Sequence, residues 1–193
     1  MRVPLIVAGE SLPQQGVLSN AFTFVTDITP TILSFAGVKP PDGRYGGRPV
    51  EAMIGRDLSP VLVGNAERIY GADDAVGYEL AGNAALFQGD YKIVVNRKPL
   101  GDGEWRLFNI KKDPGETRDL AQEEPARLQQ MLSAYERYQR ENKVLEMPPG
   151  YGHIKQLLIN TLHQQWRTPL LVGLLTLVIL LPFLVAYRMR RKS

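Results

Sequence analysis

Apolar positions recur in three rhythms along the chain, and each predicts a different element. In the middle they alternate. "NAALFQ" and "YKIVVN" are separated by Gly89-Asp90 alone, which predicts a tight hairpin. Tyr91, Ile93 and Val95 then share one face of the second strand. "EWRLFN" supplies a third strand, with Trp105 and Leu107 on one face and Phe108 on the other. The "DPG" of Asp113 to Gly115 has Pro second and Gly third, which predicts a type II turn. Beyond it the period lengthens. Glu123 and Glu124 precede Pro125, a helix start, and Leu128, Met131, Leu132, Tyr135 and Tyr138 form a stripe of period 3.6. That helix is expected to lie across the meander and to end near Lys143.

Toward the N-terminus the pattern is less regular. Val3 to Ala8 is continuously apolar, as in a strand buried on both faces. "FVTDITPTILSFAG" (Phe24 to Gly37) predicts a short helix. Asp27 or Thr29 serves as its cap, Pro30 lies in its first turn and Gly37 closes it. Ile32, Leu33, Phe35 and Ala36 are expected to face the core. Lys39 to Pro60 is a long loop rich in Gly, Pro and Arg.

The third rhythm is an unbroken apolar run. Thr168 to Tyr187 carries no charge, and at 1.5 Å per residue it covers about 30 Å, the thickness of a bilayer's hydrocarbon core. Trp166 and Tyr187 stand at its two ends, where amphipathic aromatics favour the interface, and Pro182 is a candidate kink. Arg188, Arg190, Arg191 and Lys192 follow the run; Lys155 and Arg167 precede it. The positive-inside rule then puts the C-terminus in the cytoplasm and the body outside it. "MRVPLIVAGES" does not read as a secretory signal, because Pro4 interrupts a short run behind one Arg. Export therefore requires a missing N-terminal part; otherwise the body stays cytoplasmic, as in a tail-anchored protein. "HIKQLLINTLHQQW" (His153 to Trp166) has apolar residues at helical spacing. It is either an amphipathic helix lying on the membrane or an extension of the span. "EMPPGYG" (Glu146 to Gly152) is a linker.

Composition narrows the chemistry. The 193 residues carry a net charge of +3, which makes no case for nucleic acid. There is no cysteine, hence no disulfide, thiolate metal site or cysteine nucleophile. Two histidines, His153 and His163, both lie next to the apolar run and read as interfacial side chains.

"RVPLIV", "TDITPTILSFAGV", "FQGDYKIV" and "WRLFNIKKDPGETRDLA" occur in an order that resembles the C-terminal portion of the sulfatase family, bacterial arylsulfatases above all, within the alkaline phosphatase-like superfamily. The resemblance runs from Arg2 to about Gly150. It implies an α/β fold, locally α+β. Residues 1–66 would end a large mixed-sheet domain, and residues 67–145 would form a small antiparallel sheet with a packed helix. Residues 146–167 follow as linker and approach helix, 168–187 as a single transmembrane helix and 188–193 as a basic tail. The family's formylglycine nucleophile arises within a Cys/Ser-x-Pro-x-Arg motif, which this sequence lacks. Its calcium and sulfate ligands are expected upstream of the Arg-Val-Pro strand. The resemblance thus implies the C-terminal segment of a membrane-anchored sulfatase, without an active site of its own. Calcium and formylglycine are expected only in the complete enzyme, and sulfate esters only as its substrate. The implied partners are membrane lipid and an N-terminal sulfatase catalytic part. The implied location is the bacterial inner membrane, with a periplasmic body. Two alternatives stay open: a non-catalytic membrane-anchored module or relic, and a phosphate-ester hydrolase of the same superfamily.

Few side chains in this chain suggest chemistry. Asp73, Asp74 and Glu79 are the best carboxylate cluster, against the plainer reading of a polar loop. By resemblance, Tyr78 and Glu79 are expected at the rim of the complete enzyme's substrate cleft. Arg44, Arg48 and Arg56 form a candidate anion site. Asp113 and Glu116 could hold a cation, but Asp-Pro-Gly-Glu is more simply a turn.

Overall fold

The computed structural model describes residues 3–10, 12–13 and 16–191. These fall into two compact units, residues 1–144 and 145–193.

A four-stranded antiparallel sheet organises the first unit. Its strands are β3 (Ala75–Leu80), β4 (Asn83–Gln88), β5 (Tyr91–Val95) and β6 (Trp105–Asn109), adjacent in that order. Gln88 pairs with Tyr91, so Gly89 and Asp90 alone make the turn, and Gly89 supplies the left-handed φ of +56°. The registers align Gly77, Leu86, Ile93 and Leu107 in one row across the sheet. That row faces α3 (Pro125–Glu141), whose Met131, Ala134 and Tyr135 complete the core, with Leu128, Leu132 and Tyr138 around them. Leu86, Ile93, Leu107 and Met131 are fully buried, each burial stabilising by about 1.5–3 kcal/mol. Trp105 meets Tyr135 edge-on at 4.8 Å. Gly77 lets the helix sit this close, because a Cβ there would lie 2.6 Å from the Tyr138 ring.

The outer edge of β6 is closed. Leu107 N–H donates to the Asp119 carboxylate at 3.0 Å, and its carbonyl accepts from Leu120 N–H at 2.8 Å. This covers backbone groups that would otherwise template a further strand. On the sheet's other face Val76, Phe87, Lys92 and Phe108 form the neighbouring row. The Lys92 ammonium, nearly buried, donates to both Glu116 oxygens at 2.8 and 2.7 Å.

Ahead of the sheet stand the turn Val25–Asp27, α1 (Ile28–Phe35), the short ribbon β1 (Arg44–Tyr45) and β2 (Arg48–Pro49), and α2 (Ser59–Leu62). The helix ends as expected at Gly37 (φ +65°). Gly37 N–H bonds the Ser34 carbonyl, and Val38 N–H bonds that of Leu33.

Three expectations are corrected. Val3 to Ala8 is not a strand: no ladder partner lies beside it among the described residues, and Val3, Leu5, Ile6 and Val7 are exposed. A strand buried on both faces needs neighbours on each side, and this unit supplies none to it. Secondly, α1 is turned inside out. Its buried residues are Pro30 and Thr31, whereas Ile28, Ile32 and Phe35 are exposed, Leu33 is half-buried and Ala36 is exposed. The inward pull comes from polar groups, since Thr31 Oγ donates to Asp27 C=O at 2.6 Å and accepts Leu58 N–H at 2.8 Å. Thirdly, the Asp113–Glu116 turn is closed by Glu116 N–H on the Asp113 carbonyl, but Gly115 has no positive φ. Glu116 (φ +54°) takes the left-handed position one residue later, so the turn is not type II.

The second unit contains α4 (His153–Arg190), continuous through Pro169 and Pro182. The approach segment and the apolar run are therefore one helix. It is long and apolar enough to cross a membrane. Arg2 and Lys192 lie outside the described residues, as do the side chains of His153 and Arg167.

Candidate functional site

The groups of residues singled out in the sequence do not assemble as groups, although Asp74 of one pairs with Arg56 of another. Tyr78 and Glu79 follow each other on β3, so their side chains leave opposite faces of the sheet. Tyr78 stacks between Phe24 and Phe87 at ring separations of 6.3 and 6.4 Å. Glu79 turns toward α3 and accepts the Tyr135 hydroxyl. Burial, and then that hydrogen bond, push the Tyr135 phenol well above its ordinary value.

The carboxylate cluster also disperses. Asp74 receives both Arg56 guanidinium nitrogens, at 2.6 and 2.7 Å, and Gly71 N–H at 2.6 Å. Arg56, foremost among these, holds the Asp74 carboxyl below the usual range. Asp73 contributes its backbone carbonyl, which accepts the Gln88 amide at 2.9 Å. Of the three arginines, Arg44 donates to the Gly47 carbonyl and Arg48 is exposed on β2, so they do not converge with Arg56. Asp113 accepts Thr117 N–H and Arg118 N–H at 2.7 and 2.9 Å, an anchor for its turn. In α4, Trp166, Tyr187, Arg188, Arg190 and Arg191 are exposed.

A buried clamp that the sequence did not suggest lies around Asp27. This side chain is completely buried, yet it makes no cap bond into its own helix. Oδ1 accepts Arg56 N–H at 2.8 Å and the Tyr70 hydroxyl at 2.5 Å, and Oδ2 accepts Phe24 N–H at 2.6 Å. Burial first, and then the Asp27 bond, raise the Tyr70 phenol. The Arg56 guanidinium lies 4.7 Å over the Tyr70 ring and donates to the Ile69 carbonyl. One carboxylate thereby ties α1, the 55–58 segment and the 69–74 segment together. A carboxylate holding three donors is a structural anchor and is poorly placed to accept a substrate's proton. The signal that could have found it is Gly55. A Cβ there would stand 1.9 Å from the Thr26 carbonyl oxygen, so only glycine admits the close approach.

Calcium does not fit the residues present: among the described residues no three Asp, Glu or His side chains group to hold an ion. Formylglycine does not fit either, because neither its Cys nor its Ser-x-Pro-x-Arg precursor occurs in the sequence.

No family model matches the chain. Over 151 residues, 78% of its length, it is 30% identical to an uncharacterized sulfatase of Schizosaccharomyces pombe, covering 27% of that protein. Two solved structures resemble it in fold. One is BT4656 in complex with its substrate D-glucosamine-2-N,6-O-disulfate, with TM-score 0.46 and 23% identity over 61% of this chain and 24% of that one. The other is Ps i-CgsB in complex with k-i-k-neocarrahexaose, with TM-score 0.47 and 24% identity over 74% and 29%. The chain is thus similar in sequence to a sulfatase over most of its own length, and it spans about a quarter of the length of that relative.

Proposed function

We propose that this chain is the C-terminal segment of a membrane-anchored sulfatase. In this reading, residues 1–66 close a larger α/β domain that holds the formylglycine and calcium. Residues 67–145 form the small domain beside it, with Tyr78 and Glu79 toward the cleft rim. Residues 168–187 cross the membrane, flanked by Trp166 and Tyr187, and the tail of Arg188, Arg190, Arg191 and Lys192 lies in the cytoplasm. The hydrolysed substrate is a sulfate ester bound by the complete enzyme.

The observation that carries this reading is the outward apolar face ahead of the sheet. Val25, Ile28, Ile32 and Phe35 all point into solvent, while the polar Asp27 and Thr31 point in. A helix presenting its apolar side outward needs a further layer to cover it. A relative nearly four times as long as the matched segment has the residues to form that layer.

A chimera tests the reading. The matching segment of the Schizosaccharomyces pombe relative is replaced by this chain, and aryl-sulfate hydrolysis is measured in the membrane fraction. Hydrolysis there, lost when the upstream Cys or Ser of the Cys/Ser-x-Pro-x-Arg motif is mutated, is the expected result. A folded, formylglycine-bearing chimera without hydrolysis would refute it.

A further inference from the structure

The charge of the second unit is one-sided. Glu146 is the last acidic residue of the chain; after it come Lys155, Arg167, Arg188, Arg190, Arg191 and Lys192. Among the described residues, Lys155, Arg188, Arg190 and Arg191 make no ion pair with a carboxylate. The distribution along α4 is uneven too. Lys155 and Arg167 stand three turns apart, whereas Arg188 and Arg190 share its last turn and Arg191 is its C-cap.

Helix geometry holds that cluster at one depth. At 1.5 Å per residue, positions 188 to 191 occupy a layer only about 4.5 Å deep. At 100° per residue, Arg188 and Arg191 lie about 60° apart on one face, and Arg190 leaves from the far side of the axis. Tyr187 lies one residue nearer the apolar run, at the depth where an aromatic meets the headgroups. A headgroup region is about 5–8 Å thick on each side of the hydrocarbon. The three guanidiniums therefore fall inside one headgroup layer, two on one face of the helix and one on the other.

We infer that the C-terminal end of α4 recruits anionic phospholipids, its Arg188, Arg190 and Arg191 cluster binding their phosphates, and that the opposite end, where Arg167 alone borders the apolar run, does so more weakly. The occupant is lipid, because the cluster begins directly where the apolar run ends. Guanidinium groups suit phosphate oxygens, and a lipid that meets one arginine is favoured about fivefold when its headgroup is anionic. This inference rests on the reading of α4 as a membrane span.

The test uses the full chain in phosphatidylcholine vesicles containing brominated lipid, with Trp166→Phe and Phe183→Trp placing a reporter near the C-terminal end. Brominated phosphatidylglycerol is expected to bind there about three- to fivefold more strongly than brominated phosphatidylcholine. Replacing Arg188, Arg190 and Arg191 by Gln should bring the ratio to about one. A reporter at the other end, Leu171→Trp, should give a smaller ratio, and one that the three Gln replacements leave unchanged; an equal ratio at both ends would overturn the inference. A ratio of one at Phe183→Trp would mean that the arginines only neutralise the helix's terminal carbonyls, and the inference falls. A preference that survives the Gln replacements overturns it as well. Absence of quenching by either lipid would instead defeat the membrane span, and the inference with it.

Discussion

Gly55→Ala tests the Asp27 clamp by the sign of its effect. At an ordinary loop position with compatible φ, Gly→Ala stabilises by about 0.4–1 kcal/mol, because the unfolded chain loses freedom. Gly55 has no positive φ, so backbone strain does not enter. Sterics do. The new methyl would stand 1.9 Å from the Thr26 oxygen, 2.3 Å from its carbonyl carbon and 2.8 Å from Asp27 N, all backbone atoms. No rotamer relieves this, so the 55–58 segment must retreat. Arg56 N–H then leaves the Asp27 carboxylate, and Leu58 N–H leaves Thr31. Overpacking costs about 1–3 kcal/mol, and a lost hydrogen bond to a buried charge about 1.5–3 kcal/mol. The expected destabilisation is roughly 3–5 kcal/mol. Urea unfolding of the full chain in detergent micelles, in a Trp166→Phe background, reads it through Trp105, which packs on Tyr135 in the core. An unchanged or raised midpoint would mean that the two segments do not approach as described, and the clamp argument would fail.

Other consequences follow from the same contacts. Asp119→Ala removes the acceptor of Leu107 N–H and Ala121 N–H, which opens the β6 edge; a loss of about 1–2 kcal/mol and faster aggregation in light scattering are expected. Leu86→Ala leaves a cavity at the centre of the sheet-helix core and should cost about 2–5 kcal/mol in the same unfolding assay. Asp74, held low first by Arg56, and Asp113, held low first by Arg118 N–H, bind fewer protons folded than unfolded. Their contribution is present above the ordinary carboxylate value and is lost as pH falls through the folded one. Midpoints should therefore drop below about pH 4, and Asp74→Asn should flatten that drop. Tyr135 is raised, first by burial, so its contribution holds below the usual phenol value and is lost as pH climbs past the folded one. Absorbance titration should find Tyr135→Phe lacking one late-ionising phenol.

The parts legible in the sequence are those whose partners lie close in the chain. Alternation in β4 and β5 is local, and the Gly89-Asp90 turn sets their register, so spacing alone puts Tyr91, Ile93 and Val95 on one face, which the structure packs against the core. The α3 stripe worked equally well because the sheet it covers immediately precedes it. Val3 to Ala8 and α1 failed for one shared reason. A periodic apolar face says that something covers it but does not say what, and reading Ile32 and Phe35 as inward assumed that the cover lies within this unit. The structure answers with polar contacts instead: Thr31 and Asp27 turn α1 inward, and its apolar side is left outward. Asp27 itself looked like a helix cap because a cap needs only neighbours in sequence. Its true partners, Arg56 and Tyr70, lie 29 and 43 residues away, and no pattern of one chain announces a contact at that distance. Gly55 was the one local trace, a glycine without a turn to explain it. Val3 to Ala8 and α1 are thus the elements whose apolar sides nothing in this unit covers, whereas the Asp113–Glu116 turn was misread by one residue in where the left-handed φ falls.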